Sequence, residues 1–494
     1  MSVNTLLSRK GVKSVVDSAF SKDNAFLLAT FINTFTLLFG TIWLKASNTG
    51  AYGMVESHNV LLIAFIVSEI FLGISFFYVS DLYVLLSSCV LLDMGVFIQS
   101  IFIAEEGGES TDFMNFWLGM IFALSIAVVT AVGYVFLSKR LNLKSNKKIF
   151  YIGIALMLVA TLAITAMLLV SEKTSGANIS FRIGSISIGL AELYKPIWVM
   201  VTAMIVCSDV IKKQRIKFVF LSTYTAVVLF SLLCCNELGT LAILLLAYFV
   251  MVYTLWGDNN YVRSAFYVIT IAALAGLFLL VISFPDLSMM IKDKEIHYID
   301  GTQGGLAGSL APYVNKLITR TVNWLCPLKT VGSQAATSYK ANISGGLLGN
   351  NQTFSIPVQQ CDYTFSGVVL RLGFLFGVVI AALYLIILIR TVIICENKKR
   401  EEKGFTFLNI SAYAAVMVLT LSAFISIGGN SSLLPLTGIV IPLIARGTTA
   451  NMISMFFLTL ILFNSAQKKP KKSKKEITQK KLKRTEECYC EKTI

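Results

Sequence analysis

The sequence predicts an all-α protein, a polytopic membrane bundle of about twelve transmembrane helices. Of its 494 residues, 56% are hydrophobic and only 14% are charged, and the mean hydropathy is +0.74, values that a water-soluble chain of this length does not carry. Apolar runs of about 20 residues recur, each long enough to cross the hydrocarbon core as a helix. These runs are continuously apolar and do not alternate with period two, which disfavours a β-barrel.

The apolar runs give the positions of the helices. The predicted spans are 25–44, 60–79, 82–103, 114–137, 149–170, 190–210, 217–234, 238–256, 264–284, 366–391, 405–427 and 449–464. They divide the chain into an N-terminal segment (1–24), a first group of helices (25–171), a core in two parts (172–284 and 366–465), a large loop (285–365) and a basic tail (466–494).

Lysine and arginine predict the orientation, because cytoplasmic loops near a membrane are enriched in them. They collect in five places that must share one side: the N-terminus (Arg9, Lys10, Lys13) and the segments 138–148, 212–217, 397–403 and 468–475. Both termini are therefore expected in the cytoplasm, and the loops at 105–110 and 285–365 outside. The net charge of +15 is then mainly a topology signal, with a tail suited to anionic lipid headgroups and no aromatic-interleaved groove typical of nucleic-acid binding.

Cysteine and histidine give little support to a metal site. The nine cysteines form no zinc-like spacing, and the two histidines, His58 and His297, are isolated. Cys326 and Cys361 both lie in the predicted outer loop and are candidates for a disulfide. The sequence has no GxxxxGK[ST] phosphate loop, which argues against an ATP-driven pump.

The approach to the predicted sixth helix departs from plain helix and carries charge. Gly184 and Gly189 interrupt the approach to the sixth helix, which predicts an extended or re-entrant entry. Glu192 and Lys195 follow at i, i+3 spacing, so their side chains are expected to meet. Ionisable residues at membrane depth are functional candidates by default, and the alternative is an interfacial ion pair whose heads reach water.

Two further segments interrupt the helices. Glu237, in CCNELGT (234–240), stands where its charge would complement the dipole at the start of a helix, and the residues alone favour this capping role. The stretch 428–452 places Pro435 and Pro442 inside an apolar run. Broken backbone at membrane depth is tolerated where protein or a water-filled cavity satisfies it, so this stretch is expected to line a cavity.

These regions, in this order, resemble the signature of the SEDS family, the polytopic polymerases that build glycan strands from lipid II. AELYK (191–195) is similar to the family's S-E-L-x-K, and NELGT (236–240) to P-D-L-G-T. The loop stretch 324–349 is similar to W-x-x-P…G-Y-Q-x-x-Q-S…S-G-G-x-x-G, with matches at Gly332, Gln334, Ser338, Gly345, Gly346 and Gly349.

The resemblance continues to the last helix. CDYTFS (361–366) is similar to T-D-F-I-F-A, which places Asp362 on the family's essential aspartate, and LPLTGIVIPL (434–443) is similar to L-P-x-T-G-x-x-L-P-F. The departures are Thr337 in place of a glutamine, Leu370 and Arg371 in place of an acidic pair, residues 445–450 in place of S-Y-G-G-S-S, and two N-terminal helices added to a ten-helix core.

The resemblance implies a peptidoglycan glycosyltransferase of the bacterial plasma membrane that polymerises lipid II during growth, division or sporulation, with a class B penicillin-binding protein as its partner. Asp362 is then the catalytic base. Cations are needed for the leaving pyrophosphate, and Lys195 is favoured over Arg371, Arg446 or a divalent Mg²⁺ or Mn²⁺. The implied substrate-binding residues are Glu192, Lys195, Gln334 and Arg446. The implied structural motif residues are Glu237, Gly239, Gly345, Gly346, Pro435, Thr437, Gly438 and Pro442.

Two other functions fit the same residues. A lipid-linked oligosaccharide flippase or a transporter would also place a glutamate and a lysine inside a bundle of broken helices. A non-catalytic scaffold derived from the family would explain the departures at Thr337, Arg371 and 445–450. An acid that is essential outside the membrane favours the enzyme over the flippase.

Overall fold

The computed structural model describes residues 30–35, 38, 81–105, 125, 128–136, 147–170, 181–183, 186–256, 259–265, 267–268, 271, 275, 315–316, 318–324, 334–350, 356–402 and 404–465. Its helices are α1 (Leu82–Glu105), α2 (Lys147–Val170), α3 (Tyr194–Cys207), α4 (Gln214–Cys234), α5 (Leu238–Trp256), α6 (Gln334–Gly345), α7 (Thr364–Leu372), α8 (Phe374–Glu401), α9 (Phe407–Asn430) and α10 (Thr448–Ser465). Shorter helical pieces occur at 128–136, 260–265 and 318–324.

Eight helices within the described ranges are long and apolar enough to cross a membrane. They lie at eight of the twelve predicted spans, and the all-α membrane bundle is confirmed. The remaining four predicted spans, 25–44, 60–79, 114–137 and 264–284, fall wholly or largely outside the described residues.

Helix α9 forms the centre of the bundle. It packs against α3, α5, α8 and α10, and 89% of its membrane window is buried. Small residues make this possible, because Ser411, Ala412, Ala414 and Ala415 let neighbouring backbones approach closely. In α2 only 17% of the window is buried, so this equally apolar helix presents most of its surface to lipid.

The predicted helix at 366–391 is wrong in its bounds. The chain forms two helices there, α7 and α8, separated by Gly373 with φ 93° and ψ 164°. A side chain is excluded at this residue, because a Cβ on Gly373 would lie 2.2 Å from the Leu347 carbonyl oxygen. Helix α8 also continues through most of the basic segment predicted as a loop, and its last turn carries Lys398, Lys399 and Arg400, cations that complement the helix dipole.

Two basic segments among the described residues, 212–217 and 397–402, lie at the end of the bundle opposite to Asp362. Helix α8 runs from Gly373 to its basic last turn, and α9 returns from Phe407 to Asn430, whose Nδ2 donates to the Asp362 carbonyl (2.8 Å). Helix α4 likewise runs from the basic segment 212–217 toward Glu237. The 24 residues of α9 span about 36 Å at 1.5 Å per residue, enough to separate the two ends by a bilayer core.

The approach to α3 is extended, as the glycines in it predict. Strands β1 (Phe181–Ile183) and β2 (Ile186–Ile188) pair antiparallel in a short hairpin, with Phe181 opposite Ile188. A 3₁₀ turn, Leu190–Leu193, then leads directly into α3. The hairpin is anchored where Gly189 N donates to Thr449 Oγ1 at the start of α10 (3.1 Å).

Candidate functional site

Asp362 lies in a turn just before α7 and is half-buried. Asn430, at the end of α9, fixes its backbone through the 2.8 Å bond to the Asp362 carbonyl. A Cβ on Gly438 would lie 3.7 Å from Asp362 Oδ2. The non-helical segment between α9 and α10, called the broken segment below, therefore passes directly beside the carboxyl. Asp362 thus lies between the end of α9 and a non-helical stretch of backbone.

Three glycines bring the loop around α6 against α7. A Cβ on Gly345 would lie 2.1 Å from the Val369 carbonyl oxygen, and one on Gly349 would lie 2.2 Å from the Arg371 carbonyl oxygen. Gly373 makes the reciprocal contact to Leu347, as described above. The backbones bond directly at this contact: Asn350 N donates to Leu370 O (2.7 Å) and Phe374 N to Gly346 O (2.9 Å). The glycine motif therefore fixes the short helix that follows Asp362.

A buried polar network joins α6, α7 and α9 behind the acid. Ser338 Oγ lies 2.5 Å from Ser366 Oγ, and Asn342 Nδ2 donates to the Asn430 carbonyl (2.6 Å). Asn430 Oδ1 accepts from Ser366 N (3.3 Å). Ser366 and Asn430 are 0% and 1% exposed, so these polar groups depend on one another for hydrogen bonds and hold one arrangement.

A helical segment at 315–324 brings cations to Asp362. Three side chains spaced by four residues, and so on one helix face, bond to backbone around the site: Lys316 Nζ to Asn236 O (2.7 Å), Arg320 Nη2 to Thr437 O (3.2 Å) and Trp324 Nε1 to Ser432 O (2.9 Å). Sequence reasoning singled out the tryptophan and missed both cations. The available signal was the i, i+4 spacing of two basic residues inside an otherwise uncharged part of the outer loop.

Burial and these neighbours shift the ionisation of the site. Burial raises the pKa of the Asp362 carboxyl above its ordinary value, Arg320 opposes that shift, and Glu237 adds to it. Burial, together with the charge of Arg320, lowers the pKa of Lys316 to about 8. A carboxyl whose pKa is raised toward the working pH is better suited to accept a proton in catalysis.

Glu237 caps α5 and also faces this cluster. Its Oε1 accepts from Thr240 N (3.2 Å), the cap contact that the residues predict. A Cβ on Gly239 would lie 3.1 Å from both Glu237 Oε1 and the Thr437 carbonyl oxygen. A side chain at position 239 would therefore crowd the place where the Glu237 cap meets the broken segment.

Glu192 and Lys195 form an ion pair with 2.6 Å between Oε2 and Nζ. The pair lines a cavity with Val440, Pro442 and Phe457. The cavity has room for roughly a single water molecule, so in this conformation it is too small to hold a sugar.

The broken segment after α9 connects this cavity to the acid. Gly438 adjoins Asp362 and Val440 lines the cavity. Two residues span at most about 7 Å, so a short stretch of backbone leads from the Asp362 carboxyl to the cavity that the ion pair lines.

The broken segment has the unwound backbone that its prolines predict. Leu443 takes a left-handed φ of 65°, which is strained for a residue with a side chain. Side chains of the bundle satisfy the freed groups: Leu443 N donates to Asn451 Oδ1 (2.9 Å), Asn451 Nδ2 to Ala445 O (3.0 Å), Gln99 Nε2 to Ile444 O (2.9 Å) and the Tyr384 hydroxyl to Pro442 O. The segment is thus supported by protein and lines the cavity.

The other candidate residues are exposed or have partners other than Asp362. Gln334 is exposed at the first residue of α6. Arg446 is exposed and donates to Gln360 Oε1 (2.5 Å). Arg371 forms an ion pair with Glu105, at 2.7 Å. Pro435 lies just after the turn that ends α9.

Two expectations about the site stay predictions. Cys326, one half of the candidate disulfide, lies outside the described residues. Within the described ranges no three His, Cys, Asp or Glu side chains converge to hold a metal ion, and the divalent cation stays a prediction.

The sequence comparisons agree with this arrangement. A family model described as "Cell cycle protein", for FtsW, RodA and SpoVE, matches residues 79–470. The chain belongs to the FtsW/RodA/SpoVE family. The matched region includes Asp362, the glycine motif around α6 and the broken segment after α9, and the resemblance to the SEDS polymerases is confirmed.

Curated members of the FtsW/RodA/SpoVE family match parts of the chain. The probable peptidoglycan glycosyltransferase FtsW of Lactococcus lactis subsp. lactis is 30% identical over 152 residues, which cover 29% of this chain and 35% of that protein. Stage V sporulation protein E of Bacillus subtilis is 30% identical over 159 residues, which cover 31% of this chain and 42% of that protein. The chain therefore matches less than half the length of these relatives.

Solved structures of the family resemble the fold more distantly. The crystal structure of the rod shape determining protein RodA of Thermus thermophilus aligns with a TM-score of 0.45 at 16% identity, over 79% of this chain and 98% of that one. A chain from a peptidoglycan synthase complex aligns with a TM-score of 0.49 at 19% identity, over 76% of this chain and 96% of that one.

Proposed function

We propose that the protein is a peptidoglycan glycosyltransferase that polymerises lipid II, with Asp362 as its general base. The observation that carries the proposal is the position of Asp362: a half-buried carboxyl with a raised pKa, at the end of the bundle opposite to the basic segments 212–217 and 397–402. Positively charged segments face the cytoplasm, so this end faces the exterior of a bacterial plasma membrane, where glycan strands are made.

The reaction joins two lipid-anchored sugars. Asp362 takes the proton from the 4-hydroxyl of the acceptor sugar, and the hydroxyl oxygen forms a bond to the anomeric carbon of the donor. The bond between that carbon and the donor's pyrophosphate oxygen breaks, and the lipid pyrophosphate leaves with the electron pair. Both substrates are anchored in the same membrane, so the bundle needs to orient them and not to capture them from solution.

Arg320 and Lys316 are the cations we assign to the leaving pyrophosphate. Arg320 is the cation that acts on the Asp362 carboxyl, whereas Lys195 forms its ion pair with Glu192 in the neighbouring cavity. Arg371 is likewise engaged with Glu105. Each of Arg320 and Lys316 donates to a backbone carbonyl, and their remaining N–H groups suit phosphate oxygens.

The family resemblance supports the rest of the assignment. It implies a class B penicillin-binding protein as the partner that crosslinks the strands, and a role in growth, division or sporulation. Glu192 and Lys195 are proposed to contribute to substrate binding from the cavity.

The experiment is polymerisation of labelled lipid II by purified protein, with and without a class B penicillin-binding protein. Asp362→Asn is expected to abolish polymer while lipid II binding persists, because the amide keeps the shape but cannot accept the proton. Asp209→Asn, an exposed acid at the basic end of the bundle, is the matched control and should polymerise normally.

Two results would count against the proposal. If Asp362→Asn makes strands at the wild-type rate, the base is elsewhere. If the wild-type protein binds lipid II and makes no strands even with the partner, the non-catalytic scaffold is the better reading.

A further inference from the structure

Helix α1 contacts the segment that carries Asp362 at three successive turns. The contacts come from Gln99, Phe102 and Glu105, which are three residues apart and so share one face of the helix. The segment they touch runs from Gln360 to Arg371. It includes Asp362 and all but the last residue of α7.

The first contact is a buried amide. Gln99, 1% exposed, donates from Nε2 to the Gln360 carbonyl (3.1 Å) and to the Ile444 carbonyl (2.9 Å). One side chain therefore joins the turn that holds Asp362 to the broken segment beside the cavity. Removing this buried donor breaks the link between the two segments, although the Gln360 carbonyl still accepts from Arg446 N (2.6 Å).

The second and third contacts flank the outer half of α7. The ring of Phe102 lies on Gly367, where a Cβ would come within 2.5 Å of the ring. One turn further, Arg371 Nε lies 2.7 Å from Glu105 Oε1, and their side chains are only 12% and 20% exposed. Because both side chains are partly buried, removing or reversing one charge would leave the other without compensation, which is more costly than at an open surface.

Helix α7 needs contacts with its neighbours to keep its position. Helix α7 has nine residues, too few to be stable by itself, and a slide by one helical turn would displace Asp362 by about 5.4 Å. The glycine contacts around α6 hold α7 from one side, and α1 holds it from another.

We propose that α1 is a positioning helix for the general base. The Glu105–Arg371 ion pair fixes the position of α7 along α1, and with it the depth in the bundle at which Asp362 lies beside Arg320. Gln99 fixes that position relative to the broken segment. The proposal rests on the proposed function. Positioning requires opposite charges at 105 and 371 and not a particular one at either residue, so exchanging the two charges is expected to preserve it.

The test is a charge exchange read by kinetics. Glu105→Arg and Arg371→Glu each put like charges together, and each is expected to lower kcat for lipid II polymerisation at least about tenfold, with KM changed less, since a displacement near 1 Å is that costly. Each is also expected to shift the acid limb of the pH–rate profile, because Asp362 moves relative to Arg320. The double variant should recover kcat to within about threefold of wild type and restore the acid limb.

The same helix offers a matched control at its other end. Asp81 and Arg390 form an ion pair at 2.5 Å near the basic end of the bundle. Arg390→Glu disrupts an ion pair on the same helix, so it should lower the melting temperature and leave the pH–rate profile unchanged. Gln99→Leu, of similar volume, should lower kcat as the single charge variants do.

Hydrogen–deuterium exchange provides a readout that does not depend on activity. The amides of residues 358–367 should exchange faster in each single charge variant, return to wild-type rates in the double variant, and stay unchanged in Arg390→Glu. If the exchange rates follow this pattern but the protein makes no glycan, the proposed function is wrong and the positioning role of α1 is still supported. Wild-type exchange and kinetics in both single variants, or a double variant as impaired as the singles, would overturn the positioning role.

Discussion

Replacing Gly345 by alanine tests whether the glycine motif positions Asp362, the proposed general base. The new Cβ would lie 2.1 Å from the Val369 carbonyl oxygen, and ordinary contact begins near 3.4 Å, so α6 and α7 must separate by about 1.3 Å. Asp362 sits two residues before α7 and moves with it. We expect the rate of lipid II polymerisation to fall by about 100-fold and the folded state to lose about 1–3 kcal/mol.

The assay combines polymer yield per unit time with thermal unfolding of the purified protein in detergent. Gly346→Ala separates contact from conformation, because nothing lies within 4 Å of a Cβ there although φ is +59°; it should cost only the strain of a left-handed alanine, about 1–2 kcal/mol. Gly133→Ala meets nothing within 4 Å and should be neutral or slightly stabilising. A Gly345→Ala protein with wild-type rate and melting temperature would refute the reasoning.

Three further outcomes follow from the charges and bonds around Asp362. The rate of polymerisation should fall as the pH drops through the raised pKa of Asp362. In the pH–rate profile, Arg320→Gln should move this acid limb to higher pH, because it raises the pKa of Asp362 further. Glu237→Gln should move the limb to lower pH, because it lowers that pKa. The rate should also fall as the pH rises through about 8, where Lys316 loses its proton, and a Lys316→Gln variant should lack this limb. Asn430→Ala removes the bond to the Asp362 backbone and strands buried partners, and should lower the unfolding free energy by about 1–3 kcal/mol together with the rate, measured by denaturation and polymer yield.

The sequence predicts the membrane-spanning elements well because hydrophobic length is a local property. Seven of the eight spans in the described ranges follow the apolar runs closely. The failure at 366–391 comes from Gly373, whose left-handed backbone is set by a neighbour, Leu347, that is 26 residues away in the chain. No window of apolar residues contains that contact.

The candidate site was predictable only in part. Asp362 and the glycine motif are found by resemblance, and the pairing of Glu192 with Lys195 follows from helical spacing. Lys316 and Arg320 were missed because their role depends on a short helix docking beside Thr437, a contact across more than a hundred residues. Arg371 was an alternative to Lys195 as the leaving-group cation because only its charge is visible in the sequence, whereas its partner Glu105 belongs to a distant helix.

The broken segment after α9 forms a short backbone path between Asp362 and the cavity. Gly438 adjoins Asp362, and two residues later Val440 forms part of the cavity wall. A lipid tail or headgroup that widened the cavity would displace Val440, and the two-residue connection would carry that displacement to the backbone beside the Asp362 carboxyl. The size of the cavity and the position of the proposed general base are therefore expected to change together.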